Sequence, residues 1–175
     1  MRVSWPIVLA VVTAAGAAHA DEAIRAERPL LVAVGLPDVM RMVDKDVTFP
    51  LPAIRIGYDV ARRTTVELDV GGVPLPYGAH AAIAHVGVRR AFGDGAFAPY
   101  AVARAGVYDD SPDEGDGGRY PFVVGGGGIE YAGSSGLSAW LELETGVASF
   151  ENIGERSAEW CIAGSAGIGY RFHTR

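Results

Sequence analysis

The chain has 175 residues, a formal charge of −6 at neutral pH, 24 glycines and one cysteine. That length suits one domain rather than two, the acidic balance argues against a nucleic-acid partner, and a single thiol cannot form an internal disulfide. Abundant glycine with few helix signals favours short strands joined by tight turns.

The first element in chain order is a targeting segment. Arg2 is a short positive region, Ile7 to Ala18 an apolar run, and Ala18-His19-Ala20 a small-x-small cleavage site. An apolar run of about a dozen residues is too short to span a bilayer as a helix, which needs about 20. A cleaved export signal over 1–20 is therefore expected, with one domain over 21–175. No cysteine closes the apolar run, which argues against a lipid anchor. Beyond it, apolar residues alternate with glycine and charge, so any membrane crossing would be made by strands.

Read for a period of two, the remainder gives eight strands: Pro29 to Leu36, Pro52 to Ala61, Thr64 to Val73, Ala79 to Ala91, Ala96 to Tyr108, Tyr120 to Ala132, Gly136 to Ala148, and Ala158 to Phe172. The third is clearest, with Val66, Leu68 and Val70 against Thr65, Glu67 and Asp69. The seventh sets Leu137, Ala139, Leu141 and Leu143 against Ser138, Trp140, Glu142 and Glu144. Short turns at Arg62-Arg63, Gly93-Asp94-Gly95 and Gly133-Ser134-Ser135 alternate with longer connections at Pro37 to Leu51, from Pro74, at Asp109 to Arg119 and at Ser149 to Ser157. Short turns on one rim and longer loops on the other fit an up-and-down barrel, with both termini on the short-turn side. Val39, Met40, Met42 and Val43 also have some helical spacing, so Pro37 to Asp46 could form a short amphipathic turn. Pro99 and Pro121 each remove a ladder donor near a strand start.

Alternation alone does not say which face is outside. A soluble eight-stranded barrel fills its interior with apolar side chains; a membrane barrel turns them to lipid. Here one face is smooth, rich in Ala, Val and Leu, and almost uncharged. The other carries Arg55, Asp59, Glu67, Asp69, His85, Arg89, Arg104, Glu130, Glu142, Glu144, Glu159 and Arg171 among glycines. Charges of both signs suit a narrow lumen crossed by arginine–carboxylate contacts, so nine of them, Arg55, Asp59, Glu67, Asp69, Arg89, Arg104, Glu130, Glu142 and Glu144, are the candidate lumen network. Tyr58, Phe92, Tyr131, Trp160, Tyr170 and Phe172 share the apolar parity toward strand ends, as interfacial aromatics do. Arg90 breaks that parity beside a short turn, where it can snorkel to the headgroups.

From about Pro29 to Phe172 the chain resembles the small eight-stranded outer-membrane β-barrel family, OmpA-like in its transmembrane part. Its closing segment "SAGIGYRF" is similar to that family's assembly signal, with Ser165, Gly167, Tyr170 and Phe172 in the recognised places, although His173-Thr174-Arg175 follow the final aromatic. The resemblance implies an all-β, eight-stranded antiparallel up-and-down transmembrane barrel in a Gram-negative outer membrane. It also implies outer-membrane lipid and the barrel-insertion machinery as partners.

Other chemistry reads weakly. Glu142 and Glu144, about 7 Å apart on one strand face, superficially suit paired-carboxylate hydrolysis, but arginine partners are at hand. Outer-membrane barrels include lipid A deacylases and acyltransferases that use serine and histidine; His85, His80 and His173 are the histidines beyond the signal, no serine aligns beside His85, and His80 falls near the outer rim with Ser111 and Ser157 in loops whose position the sequence leaves open. "GGGG" at 125–128 and "GSAGIG" at 164–169 lie inside strands, where glycine gives room to a large neighbour such as Trp140 rather than cradling phosphate. The acidic run 109–118 could hold calcium, but its spacing misses the twelve-residue pattern; a solvated loop that could meet an external partner is expected. No cofactor and no metal site are assigned. The sequence thus favours a non-catalytic structural or surface-interaction barrel. A lipid-modifying barrel enzyme and a soluble lipocalin-like barrel for an apolar ligand stand as alternatives.

Overall fold

A computed structural model describes residues 28–42, 48–74, 80–93, 95–111, 118–152 and 155–173. All regular structure among them is strand: β1 (Leu30–Met42), β2 (Thr48–Ala61), β3 (Thr64–Pro74), β4 (His80–Ala91), β5 (Phe97–Ser111), β6 (Gly118–Ala132), β7 (Leu137–Asn152) and β8 (Glu155–Phe172). Each strand pairs antiparallel with its sequence neighbours, and β1 pairs with β8 from Leu30↔Phe172 to Met42↔Cys161. The sheet is therefore a closed eight-stranded up-and-down barrel with no free edge. The expected export signal over 1–20 lies outside the described residues, as does 112–117 in the acidic run.

At the short-turn rim the strand ends fall within a residue or so of the alternation's limits. At the opposite rim the strands run further, so β1 continues to Met42, β2 begins at Thr48, β5 reaches Ser111 and β7 reaches Asn152. The contrast expected between short turns and long loops is thus mostly a contrast in strand overshoot. The connection expected over Ser149 to Ser157 is a hairpin paired up to Asn152↔Glu155. The helical alternative for Pro37 to Asp46 is also corrected, because Pro37 to Met42 belong to β1. The cause is a bulge: between Gly35↔Ala53 and Asp38↔Leu51, two β1 residues, Leu36 and Pro37, oppose Pro52 alone. Two residues without backbone N–H meet where the ladder is already interrupted, and the extra residue breaks the pairing register there.

The other prolines are placed with similar economy. Pro99 lies one residue beyond the last β4–β5 pair, Ala91↔Tyr100, and Pro121 one residue beyond the last β6–β7 pair, Phe122↔Ala148. Each therefore lacks its N–H where a ladder ends. The β6–β7 turn closes through Gly133 N–H to Leu137 O at 2.8 Å and Gly136 N–H to Gly133 O at 2.9 Å. Gly136 has φ +97°, a left-handed value that strains any residue with a Cβ.

Side-chain burial settles the two faces. Leu68 and Leu141 are 43% and 63% exposed on the outer wall, whereas their neighbours Glu67 and Glu142 are 1% and 4% exposed in the interior. Val66, Val86, Leu143 and Ile168 also face outward; Arg55, Asp69, Arg89 and Arg104 face inward. This is the arrangement a hydrocarbon solvent demands, and it inverts the interior of a lipocalin-like barrel. Arginine at the bilayer midplane costs a membrane barrel about 2–4 kcal/mol, against about 0–1 near an interface. Leu141→Arg should therefore lower folding stability in vesicles by about 2–4 kcal/mol, while Val60→Arg, beside the Arg62-Arg63 turn, should change it by less than about 1. Urea titration followed by gel mobility measures both, and equal losses would contradict the assigned depth.

Candidate functional site

Register builds the lumen before any side chain reaches across it. Arg55 of β2 sits opposite Asp69 of β3, and Asp69 sits opposite His85 of β4. Alternation then points these groups to one axis, together with Glu67, Arg89, Arg104, Glu130, Glu142, Glu144 and Arg171.

The structure brings the nine predicted network residues together, joined by Arg171. Arg171 Nη1 donates to Asp59 Oδ2 at 2.9 Å, and its Nη2 donates to Glu130 Oε1 at 2.8 Å. Arg89 continues the chain, with Nη1 3.4 Å from Glu130 Oε2 and Nη2 2.8 Å from Glu67 Oε1. Arg104 Nη2 donates to Glu67 Oε2 at 2.8 Å, and its Nη1 pairs with Glu142 Oε1 at 3.0 Å and with Glu144. Arg55 closes the sequence with Nη2 donating to Glu142 Oε1 at 2.6 Å and Nε to Asp69 Oδ1 at 2.7 Å. An unbroken chain of ion pairs thus runs from the short-turn rim to the barrel's middle. Its four guanidiniums face six carboxylates, each of which lies within ion-pair distance of at least one guanidinium. His85 Nδ1 lies 3.3 Å from Asp69 Oδ2.

Neutral groups complete the network. Tyr100 donates to Glu142 Oε2 at 2.7 Å, Ser138 to Glu130 Oε1 at 2.8 Å, and Ser165 to Glu142 Oε1 at 2.5 Å. Tyr100 reaches Glu142 across β6 because residue 128 is glycine; a Cβ there would lie 2.7 Å from the Tyr100 hydroxyl. Gly167 makes room in the same way for the Trp140 ring, on which the Arg55 guanidinium stacks at 4.5 Å. Gly128 and Gly167 therefore admit bulky lumen neighbours, whereas Gly126 and Gly127 allow the backbone of the adjoining strands to approach. Ser138 shares the polar face already read for the seventh strand, whereas Tyr100 is not among the residues read from the sequence, although its parity with Arg104 is the available signal.

The outer half of the lumen is different. Leu51, Ile83, Tyr108, Phe122, Val124 and Cys161 form a buried apolar cluster there, with the Tyr108 and Tyr120 rings stacked at 6.0 Å. Glu159, expected on the lumen face, is half-buried toward that end. A small cavity separates the two layers, lined by Ile83, His85, Arg104, Phe122, Glu144 and Ser165. Ser165 and His85 both line this cavity. Ser165 spends its proton on Glu142, however, and His85 leans on Asp69, so the pair is tied into ion pairing rather than aligned for nucleophilic attack.

On the outer wall, Tyr170 and Phe172 pack edge to face at 5.0 Å, and Phe97 meets a half-buried Tyr131 at 5.0 Å. Ser165 and Gly167 point inward while Tyr170 and Phe172 point outward, so the four residues of the expected assembly signal lie on both faces of β8. Beyond the apolar band, Asp109 receives Arg119 Nε at 2.8 Å and lies 3.7 Å from His80 Nε2. No cluster of three or more His, Cys, Asp or Glu with metal-holding geometry occurs among the described residues.

Among solved structures, the chain is similar to the N-terminal β-barrel domain of Pseudomonas aeruginosa OprF, with TM-score 0.53 and 16% identity over 80% of this chain and 97% of that one. It is also similar to Neisserial surface protein A, with TM-score 0.59 and 13% identity over 82% of this chain and 96% of that one. No family model and no curated protein matches the sequence. The chain thus has the fold of the small eight-stranded outer-membrane barrels.

Removing one partner from a buried ion pair strands the other without solvent and typically costs about 3–5 kcal/mol. Arg104→Met and Glu142→Gln should each destabilise the purified barrel on that scale. Arg119→Gln, which breaks an exposed pair, should cost under about 1 kcal/mol. Urea midpoints report all three, and an Arg104 loss no larger than that of Arg119 would remove the network from the stability account.

Proposed function

We propose that this protein is an exported, non-catalytic resident of a Gram-negative outer membrane, with a structural or surface-interaction role. The single observation that carries the reading is the inverted distribution of its side chains, with apolar residues on the wall and paired ions on the axis. Water would dissolve the outside of such a molecule poorly, and lipid would dissolve it well. In this reading residues 1–20 are removed on export, and the insertion machinery recognises Ser165, Gly167, Tyr170 and Phe172. The short-turn rim faces the periplasm, and the overshooting strands carry the connections at 43–47, 75–79, 112–117 and 153–154 outside the cell. Seven of the eight strands, at 12 to 18 residues, exceed the roughly 9–11 that a tilted strand needs to cross a bilayer, and β3, at 11, matches it. The excess stands clear of the membrane, where it can present a surface to a partner.

The lumen supports a closed barrel rather than a pore. Ion pairs fill its inner half and apolar side chains its outer half, and eight strands leave space for little else. The lipid-modifying enzyme gains no support from Ser165 and His85, which sit inside the barrel; its remaining place is the rim opposite the short turns, where His80 stands opposite Ser111 in the β4–β5 ladder and 3.7 Å from Asp109.

On expression in a Gram-negative host, the protein should fractionate with the outer membrane and run faster unheated than boiled. In planar bilayers it should give no stable open conductance. Recovery from periplasm without detergent would defeat the localisation, and a steady ohmic channel would defeat the sealed lumen.

A further inference from the structure

We infer that the cavity between the ionic and apolar layers of the lumen is a binding site for water, and that water held there completes the hydrogen bonding of Arg104 and Asp69. Arg104 Nε and Asp69 Oδ2 lie 3.6 Å apart, which is too far for a direct bond. Neither atom has a hydrogen-bond partner among the described residues, although the two residues are only 3% and 1% exposed. The rest of each group is committed elsewhere. Arg104 Nη1 and Nη2 serve Glu144, Glu142 and Glu67, and Asp69 Oδ1 accepts from Arg55 Nε. An ionised group buried one bond short is costly. A water oxygen seated off the line between the two atoms can lie about 2.9 Å from both, accepting from the guanidinium and donating to the carboxylate.

The cavity supplies the room. Arg104 and His85 both line it, and Asp69 Oδ2 lies against each of them, 3.3 Å from His85 Nδ1 on the other side. Its volume of about 20 Å³ admits water and excludes organic ligands, whose sites take about 300 Å³ or more. Cavities lined by apolar groups alone stay dry. This one is polar on the side of the ion pairs, where Glu144 offers a carboxylate and Ser165 Oγ, already donating to Glu142, can still accept.

Charge selects water over an ion. A chloride in this space would meet Glu144 and the adjacent Asp69 and Glu142, whereas a sodium or potassium ion would meet the Arg104 guanidinium. Either would be stripped of its own hydration beside a like charge, at a cost that a neutral dipole avoids. The site also leaves the lumen closed. Ion pairs among Arg104, Glu67 and Glu142 seal it on one side, and the Ile83, Tyr108 and Phe122 layer seals it on the other.

The test is nuclear magnetic resonance on the purified nitrogen-15-labelled chain in detergent micelles, with folding checked by heat-modifiable mobility. Magnetisation should pass directly from water protons to the Arg104 Nε–H, and its sign in rotating-frame spectra separates this dipolar transfer from proton exchange. Ala163→Val places methyl groups in the cavity while keeping every neighbouring hydroxyl, so it should abolish the transfer; Val124→Ile, which fills the same space, serves if the first variant does not fold. A resolved Arg104 Nε–H that receives nothing from water in the wild type would overturn the inference. So would transfer that survives both fillings, because a side-chain hydroxyl would then be its source. An Nε–H signal erased by rapid exchange would make the lumen open to bulk solvent and would overturn the enclosed site. In titrations with sodium chloride and potassium chloride the Arg104 Nε resonance should not move. A saturable shift with either would give the cavity to an ion and overturn water as its occupant.

Discussion

Closing eight strands into a ring removes every sheet edge but leaves the inward side chains with no solvent except one another. Each inward charge must therefore find its counter-charge across the axis or remain buried and unpaired, which is far more costly than any surface imbalance. The chain from Asp59 through Arg171, Glu130, Arg89, Glu67, Arg104 and Glu142 to Arg55 and Asp69 satisfies that constraint. Because these residues come from β2 through β8, the pairs also lock the barrel's cross-section, in addition to the backbone ladder around its circumference. Apolar packing of Leu51, Ile83, Tyr108 and Phe122 completes the filling toward the outer rim.

Much of this architecture was legible because an apolar wall and a charged lumen impose opposite chemistry on alternate residues. Where both constraints act, as from Val66 to Val70 or from Leu137 to Leu143, the period of two is plain and the strand limits follow. Beyond the apolar band of the wall the outward residue is no longer apolar. Asp109 and Arg119 stand in paired strands there, and so the ends of β5 and β6 read as loop. The β1 bulge hid its strand differently: one inserted residue at Leu36-Pro37 breaks the pairing register, and Val39, Met40, Met42 and Val43 have helical spacing in the sequence.

For the lumen, parity named the charged residues but not their partners. Which carboxylate meets Arg104 depends on shear and side-chain reach across the ring, and neither is written in any one strand. The apolar outer half was missed because Ile83, Phe122 and Tyr108 share parity with the ions below them, so an uncharged layer stacked along the same axis leaves no separate periodicity. Gly128 and Gly167 carry a subtler signal: a missing side chain on an inward row marks where a neighbouring strand's Tyr100 or Trp140 crosses over. The identities with OprF and Neisserial surface protein A, 16% and 13%, show how little of the sequence this fold requires beyond alternation.

The whole account depends on hydrocarbon meeting the barrel's wall and not its axis. Trp160 lies exposed on that wall and Trp140 lies buried in the lumen, and the third tryptophan, Trp5, falls in the expected export signal. Brominated phospholipids quench only tryptophans that they touch. In vesicles of such lipids, Trp140→Phe, which keeps Trp160, should be strongly quenched, and Trp160→Phe, which keeps Trp140, should stay bright. Quenching of Trp140 with Trp160 unaffected would contradict the orientation from which every other conclusion follows.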